Sequence, residues 1–125
     1  MRKRPTAAEL DILQVLWMQG PSTVREVQEA LSAARPTGYT TVLKLLQIMA
    51  DKDLVARNAS ERAHVYRARV PRERTQAQLV RDLVDKAFGG SASRLVMHAL
   101  SSKRATSAEL AEIRRVLDDM EGDPR

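Results

Sequence analysis

The 125-residue chain contains no cysteine. Disulfide bonds, thiolate metal sites and cysteine nucleophiles are thereby excluded. Aromatic residues amount to only 3%, so a core has to be assembled from Leu, Val, Ile, Met and Ala. Because Ala, Leu and Met are strong helix formers, that palette favours a mainly helical fold. No window approaches the roughly 18 consecutive apolar residues that a membrane span requires. The basic start, MRKRPTAAEL, lacks the apolar segment of a signal peptide. A cytoplasmic protein without membrane insertion is the expectation.

Motifs of chemistry are missing as well. There is no GxGxxG, P-loop, HExxH or GxSxG pattern. The two histidines, His64 and His98, have no carboxylate at ligand spacing, which places them on the surface or in packing rather than at a metal. Ser, Asp and Glu fall at helix starts and on polar faces. Nothing points to an enzyme, a catalytic residue, a metal site or a cofactor.

What the chain does have is an uneven positive charge. Residues 1–70 carry 11 Lys/Arg against 7 Asp/Glu, whereas residues 71–125 carry 10 against 9. The surplus lies in the N-terminal part, where an anionic partner would be met.

The N-terminal part reads as three helices and a hairpin. Thr6 with Glu9 forms a capping box that opens the first helix, in which Leu10, Leu13, Leu16 and Trp17 make an apolar stripe. Gly20-Pro21 ends it. Thr23 with Glu26 opens the second helix, with Val24, Val27 and Leu31 on one face. That helix ends near Ala34, because Pro36 disfavours the α conformation at Arg35. The third helix is expected from about Gly38 to Lys52. Its apolar set Val42, Leu45, Leu46 and Met49 has i, i+3, i+4, i+7 spacing, and Thr40, Lys44, Gln47 and Asp51 face the other way. After it, Leu54–Arg57 and Val65–Ala68 are short β-type runs around a polar turn, Asn58 to His64. A two-stranded hairpin is marginal alone and has to pack on the helices. The strands show no clean in/out alternation, so the sequence leaves their register open.

Residues 71–125 read as three further helices. Leu79, Val80, Leu83, Val84, Ala87 and Phe88 line the first, which starts at Pro71 and is broken by Gly89-Gly90. Leu95, Val96 and Leu100 mark the second. The last opens with a third capping box, Thr106 with Glu109, and carries Leu110, Ile113, Leu117 and Met120 at 3, 4, 3 spacing, the seam of two short heptads. Little chain is left to cover these stripes, so Leu79, Leu83, Phe88, Leu110, Ile113, Leu117 and Met120 are expected to bury one another across a two-fold axis in a homodimer.

The order ααα-ββ is that of a winged helix-turn-helix, giving a DNA-binding domain over residues 1–70 and a helical dimerisation domain over residues 71–125. In such a head the start of the third helix enters the major groove, about 12 Å wide. Short hydrogen-bonding side chains and a cation are suited to that place. Thr37, Tyr39, Thr40, Thr41 and Lys44 are the candidates there, with Arg62 at the hairpin tip and Arg2, Lys3 and Arg4 as a basic arm. Arg57, Arg67 and Arg69 surround the wing. Two other readings compete: a winged helix serving as a protein-interaction module with no specific DNA target, and a nonspecific architectural DNA binder.

The run GYTTVLKLLQIMADKDLVARNASERAHVYRA resembles the signature of the penicillinase repressor (BlaI/MecI/CopY) family, and PTAAELDILQVLW, TVREVQEAL, FGGS and TSAELAEI extend the likeness over residues 5–120. The resemblance implies a homodimeric repressor that reads a dyad-symmetric operator of double-stranded DNA through the third helix and the wing. Its β-lactam branch further implies a membrane metalloprotease sensor system as partner, with cleavage at the position of His98-Ala99, where the branch's Asn-aromatic dipeptide is absent. The copper branch's C-terminal cysteines are absent too. Asp53 stands where the family has Gly, and Asp tolerates the left-handed conformation that this turn requires.

Overall fold

The computed structural model describes residues 4–60 and 62–122. The elements run α1 (Ala7–Gln19), β1 (Ser22–Thr23), α2 (Val24–Ser32), α3 (Tyr39–Asp51), β2 (Val55–Asn58), β3 (Val65–Ala68), α4 (Arg72–Ala87), α5 (Ala92–Ser102) and α6 (Ser107–Glu121). The chain divides into two compact units at Ala77/Gln78, within α4.

All three expected capping boxes form. Thr6, Thr23 and Thr106 each accept from the amide three residues on, and Glu9, Glu26 and Glu109 each accept from the cap residue's own amide. Each box satisfies two otherwise orphaned donors, and a cap of this kind contributes about 1 kcal/mol. α1 ends at Gly20, whose φ of 82° and ψ of −168° lie in a region that only glycine enters without strain. The carbonyl of Gly20 accepts from the buried Ser22 hydroxyl at 2.8 Å. α2 stops at Ser32, slightly earlier than the proline alone suggests.

The hairpin is part of a three-stranded antiparallel sheet of order β1-β3-β2, not the two-stranded unit expected. β1 is only two residues long and doubles as the entry to α2, so it leaves no alternating signal in the sequence. The register pairs Val55 with Ala68, Arg57 with Tyr66 and Ser22 with Tyr66. Directly opposed residues share a face, so Ser22, Val55, Arg57, Tyr66 and Ala68 lie on one, where Ser22, Val55 and Tyr66 are buried and Arg57, near the end of β2, is exposed. Tyr66, on the central strand, is fully buried.

The core of the first unit joins Ile12, Leu13 and Leu16 of α1, Val24 and Val27 of α2, and Val42, Leu46 and Met49 of α3 with Leu54, Val55 and Tyr66. Leu45 packs against this cluster only partly buried. Trp17, at the edge, donates its indole N–H to the Val70 carbonyl at 2.9 Å and so ties α1 to the segment after β3. A charged group sits among these apolar ones. Glu9 is 2% exposed, and its Oε1 and Oε2 accept from Lys52 Nζ at 2.8 and 3.0 Å. Oε1 also accepts from the Thr6 amide at 2.9 Å.

α3 terminates in a Schellman motif. The Leu54 amide donates to Met49 O and the Asp53 amide to Ala50 O. Asp53 holds the left-handed position with φ 62°, and its Oδ1 accepts from Arg69 Nη1 at 3.1 Å. The turn therefore survives the replacement of glycine by aspartate.

In the second unit, Gly89 and Gly90 adopt φ of 57° and 83° and break the chain between α4 and α5, where Ser91 caps α5. No residue of α4, α5 or α6 is buried among those described. Leu83, Val96, Leu117 and Met120 are 45–70% exposed. Among the described residues no helix is long and apolar enough to cross a membrane.

Two consequences are open to measurement. Burial alone would raise the Glu9 pKa, but the Lys52 ammonium and the Thr6 amide outweigh it and hold the carboxyl below its usual value. A depressed pKa adds stability that is complete above the unfolded-state value, about 4.3 for a glutamate, and is lost as pH falls through the folded-state value. Glu9→Gln is expected to cost on the order of 1–3 kcal/mol at pH 7 by urea unfolding. The gap to the wild type should close in acid; a gap independent of pH would contradict this. At Asp53, glycine relieves the left-handed strain but loses an exposed ion pair and raises chain entropy, so Asp53→Gly is expected to stay within about 0.5 kcal/mol of the wild type. Asp53→Val should lose about 1–2 kcal/mol.

Candidate nucleic-acid interface

The outer side of α3 is open to solvent. Thr40, Lys44, Gln47 and Asp51 are all exposed and recur at helical spacing on one side of the helix. The opposite side supplies Val42, Leu46 and Met49 to the core. Tyr39, at the first position of α3, is 46% exposed. Gly38 is the N-cap and offers no side-chain acceptor, so the first-turn amides of α3 lack a side-chain partner. Positive potential from those amides adds to the Lys44 ammonium.

Two of the sequence candidates sit differently from this group. Thr41 lies on the flank, lining a groove with Leu31, Gly38 and Leu45. Thr37 is half buried and committed to the α2–α3 turn. Its amide donates to Ser32 Oγ at 3.2 Å and its hydroxyl to the Arg35 carbonyl at 2.9 Å. Its carbonyl accepts from Gln28 Nε2 at 3.2 Å and from Ser32 Oγ at 3.3 Å. Gln28 and Ser32 thus fix where α3 starts. No short motif marked them, because the bonds close only once α2 has ended and the chain has turned back.

At the wing, Asn58 Oδ1 accepts from the Ser60 amide at 2.9 Å and from the Ser60 hydroxyl at 2.7 Å. This Asx turn shapes the start of the β2–β3 connection. Arg62 lies exposed beyond it, and Arg57 and Arg67 are exposed on β2 and β3. Among the described residues, none of Lys44, Arg57, Arg62 and Arg67 has a carboxylate partner, whereas Arg69 is held by Asp53. Arg4 is exposed just ahead of α1; Arg2 and Lys3 lie outside the described residues. His98, on α5, stacks at a tilt against Phe88 with ring centroids 5.6 Å apart, and His64 is exposed in the β2–β3 connection.

Residues 5–119 match the penicillinase repressor family. The transcriptional regulator BlaI of Mycobacterium tuberculosis is 36% identical over 115 residues, which cover 90% of this chain and 82% of that protein. Two solved structures share the architecture. One is Bacillus licheniformis BlaI, in its monomeric form in complex with the blaP half-operator, with a TM-score of 0.50 and 20% identity over 58% of this chain and 89% of that one. The other is a MarR family protein from Bacillus stearothermophilus, with a TM-score of 0.50 and 21% identity over 93% of this chain and 72% of that one. Both likenesses concern the fold: helices with a small antiparallel sheet, arranged as a winged helix. With the family matched from Pro5 to near the end of α6 and a winged-helix head in its N-terminal unit, the chain belongs to the penicillinase repressor family of transcriptional regulators.

Proposed function

We propose that the protein is a homodimeric repressor that binds a dyad-symmetric DNA operator, each head presenting α3 to a major groove and the wing to the flanking backbone. The observation that carries this reading is the outer side of α3, exposed, polar and cationic, with Lys44 free of any internal ion pair among the described residues. A surface built to dock a protein would present apolar anchors there. Thr40 and Thr41 suit base edges or thymine methyls, and Lys44 suits guanine or phosphate. Tyr39 and the uncapped first turn of α3 suit phosphate. Arg62 and Arg4 add salt-sensitive affinity, as do Arg2 and Lys3 beyond the described residues. Thr37 contributes through the turn that it shapes. Half-operator binding by the monomeric form of the Bacillus licheniformis protein supports the same assignment.

Dimerisation is assigned to residues 71–125, and the DNA-binding head to residues 1–70. The support is energetic. Leu79, Leu83, Phe88, Leu110, Ile113, Leu117 and Met120 remain exposed or half buried in a single chain, and burying a side chain of this size is favourable by about 1.5–3 kcal/mol. Two heads about 34 Å apart would then match one DNA turn. Release by a membrane metalloprotease sensor would act near His98-Ala99. Those residues lie inside α5, so cleavage there requires the helix to open.

Two measurements test this reading. Lys44→Ala is expected to weaken binding to an operator selected from random duplexes and, where Lys44 meets phosphate, to lower the salt slope by about one. Unchanged affinity and slope would remove Lys44 from the interface. A wild type that binds no DNA at low salt would point to a protein-interaction module instead. Leu117→Asp is expected to sediment as a monomer with weakened DNA binding; a persistent dimer would place the interface elsewhere.

A further inference from the structure

Glu9 is a buried charged side chain of the head, and nothing in the proposed DNA contact uses it. It sits in the first turn of α1, while its partner Lys52 immediately follows α3. The two are 43 positions apart in the chain and joined by both carboxylate oxygens, at 2.8 and 3.0 Å. A buried ion pair is a weak net stabiliser, because desolvation of the two charges offsets most of their attraction. Its presence calls for another account.

The way α3 is held supplies one. At its start, Thr37 is bonded between Ser32 and Gln28. Along its middle, Val42, Leu46 and Met49 pack in the core, which sets the spacing and crossing angle of the helix but adds no polar tie. At its end, the Lys52–Glu9 pair is directional, and the Thr6 amide holds the carboxylate in place. A 13-residue helix is about 20 Å long, so a shift of roughly 1 Å at one end swings its axis by about 3°. Recognition geometry tolerates errors of about 0.5 Å. Lys52 is 22% exposed with its ammonium turned to Glu9, which leaves it poorly placed to meet a phosphate.

We propose that Glu9 and Lys52 are positioning residues for operator recognition: the pair fixes the far end of α3 against α1, so that the outer side of the helix meets base edges in register. The pair then governs discrimination between sequences rather than general affinity for DNA. This rests on the operator-binding reading given above.

The test uses the full chain as wild type, Lys52→Met, Lys52→Arg and Glu9→Gln. Each is titrated with a duplex enriched from a random pool by the wild type and with a scrambled duplex of equal length, over a range of salt, well below every variant's unfolding temperature. Circular dichroism confirms the fold. Glu9→Gln keeps the shape and the Thr6 contact should Lys52→Met fold poorly. Lys52→Met and Glu9→Gln are expected to lose about tenfold or more of the ratio between the two duplexes, a coupling of the size of one base contact. Affinity for scrambled DNA and the salt slope should hold, and Lys52→Arg should restore the ratio. An unchanged ratio in folded variants would reduce the pair to a stabiliser and overturn the proposal. A salt slope lowered by about one would make Lys52 a phosphate ligand and overturn it equally. A wild type with no preference between the duplexes would sink the operator reading itself, which the other outcomes leave standing.

Discussion

A carboxylate that water scarcely reaches joins the start of α1 to the end of α3. Glu9 closes the capping box at the start of α1 and, with the same oxygen, receives the lysine that follows α3. α1 and α3 could be brought together by apolar contact alone, since Ile12, Leu13, Val42, Leu46 and Met49 are all fully buried. Interdigitated apolar side chains set the spacing and crossing angle of two helices. Directional bonds add ties between particular atoms, and the head places them at the ends of α3: Ser32 and Gln28 on Thr37 at one end, Glu9 on Lys52 at the other. Asp53, one residue further on, reverses the chain and pairs with Arg69, so β2 leaves the helix along a defined path.

This arrangement separates two kinds of residue on one helix. Those facing inward determine whether α3 exists, and those facing outward are free to be chosen for contact. Thr40, Lys44 and Gln47 make no side-chain bond within the head among the described residues, so replacing them leaves the scaffold intact. Thr37 belongs to the scaffold although its residue type suits DNA. The hydroxyl that could reach a phosphate is already donated to Arg35 O.

Much of the head was legible in the sequence because its signals are local. Capping boxes need three residues, helix stripes need a spacing, and Gly20 needs only a turn. The helices and their caps follow from these. What was hidden depends on contacts between distant segments. β1 is two residues long and becomes a strand only because Tyr66 and Val65 arrive beside it. Lys52 looks like one more surface lysine until α1 brings Glu9 to it, and Arg69 looks like a wing cation until Asp53 claims it. Of the candidate interface, the exposed side of α3 was readable from periodicity. So was the flank position of Thr41, whereas the inward commitment of Thr37 was not, because it depends on how the chain turns between α2 and α3.

The two halves of the chain obey different physics. Among the described residues, the head buries a core of eleven apolar side chains and leaves no buried polar side-chain atom without a partner. The helices beyond residue 77 bury no residue among those described and offer apolar stripes instead. If those stripes meet in a second copy, DNA affinity becomes a product of two head contacts rather than one. The tether between the heads sets the effective concentration of the second head once the first is bound. A change that kept the second halves apart would then remove that coupling without touching α3 or the wing.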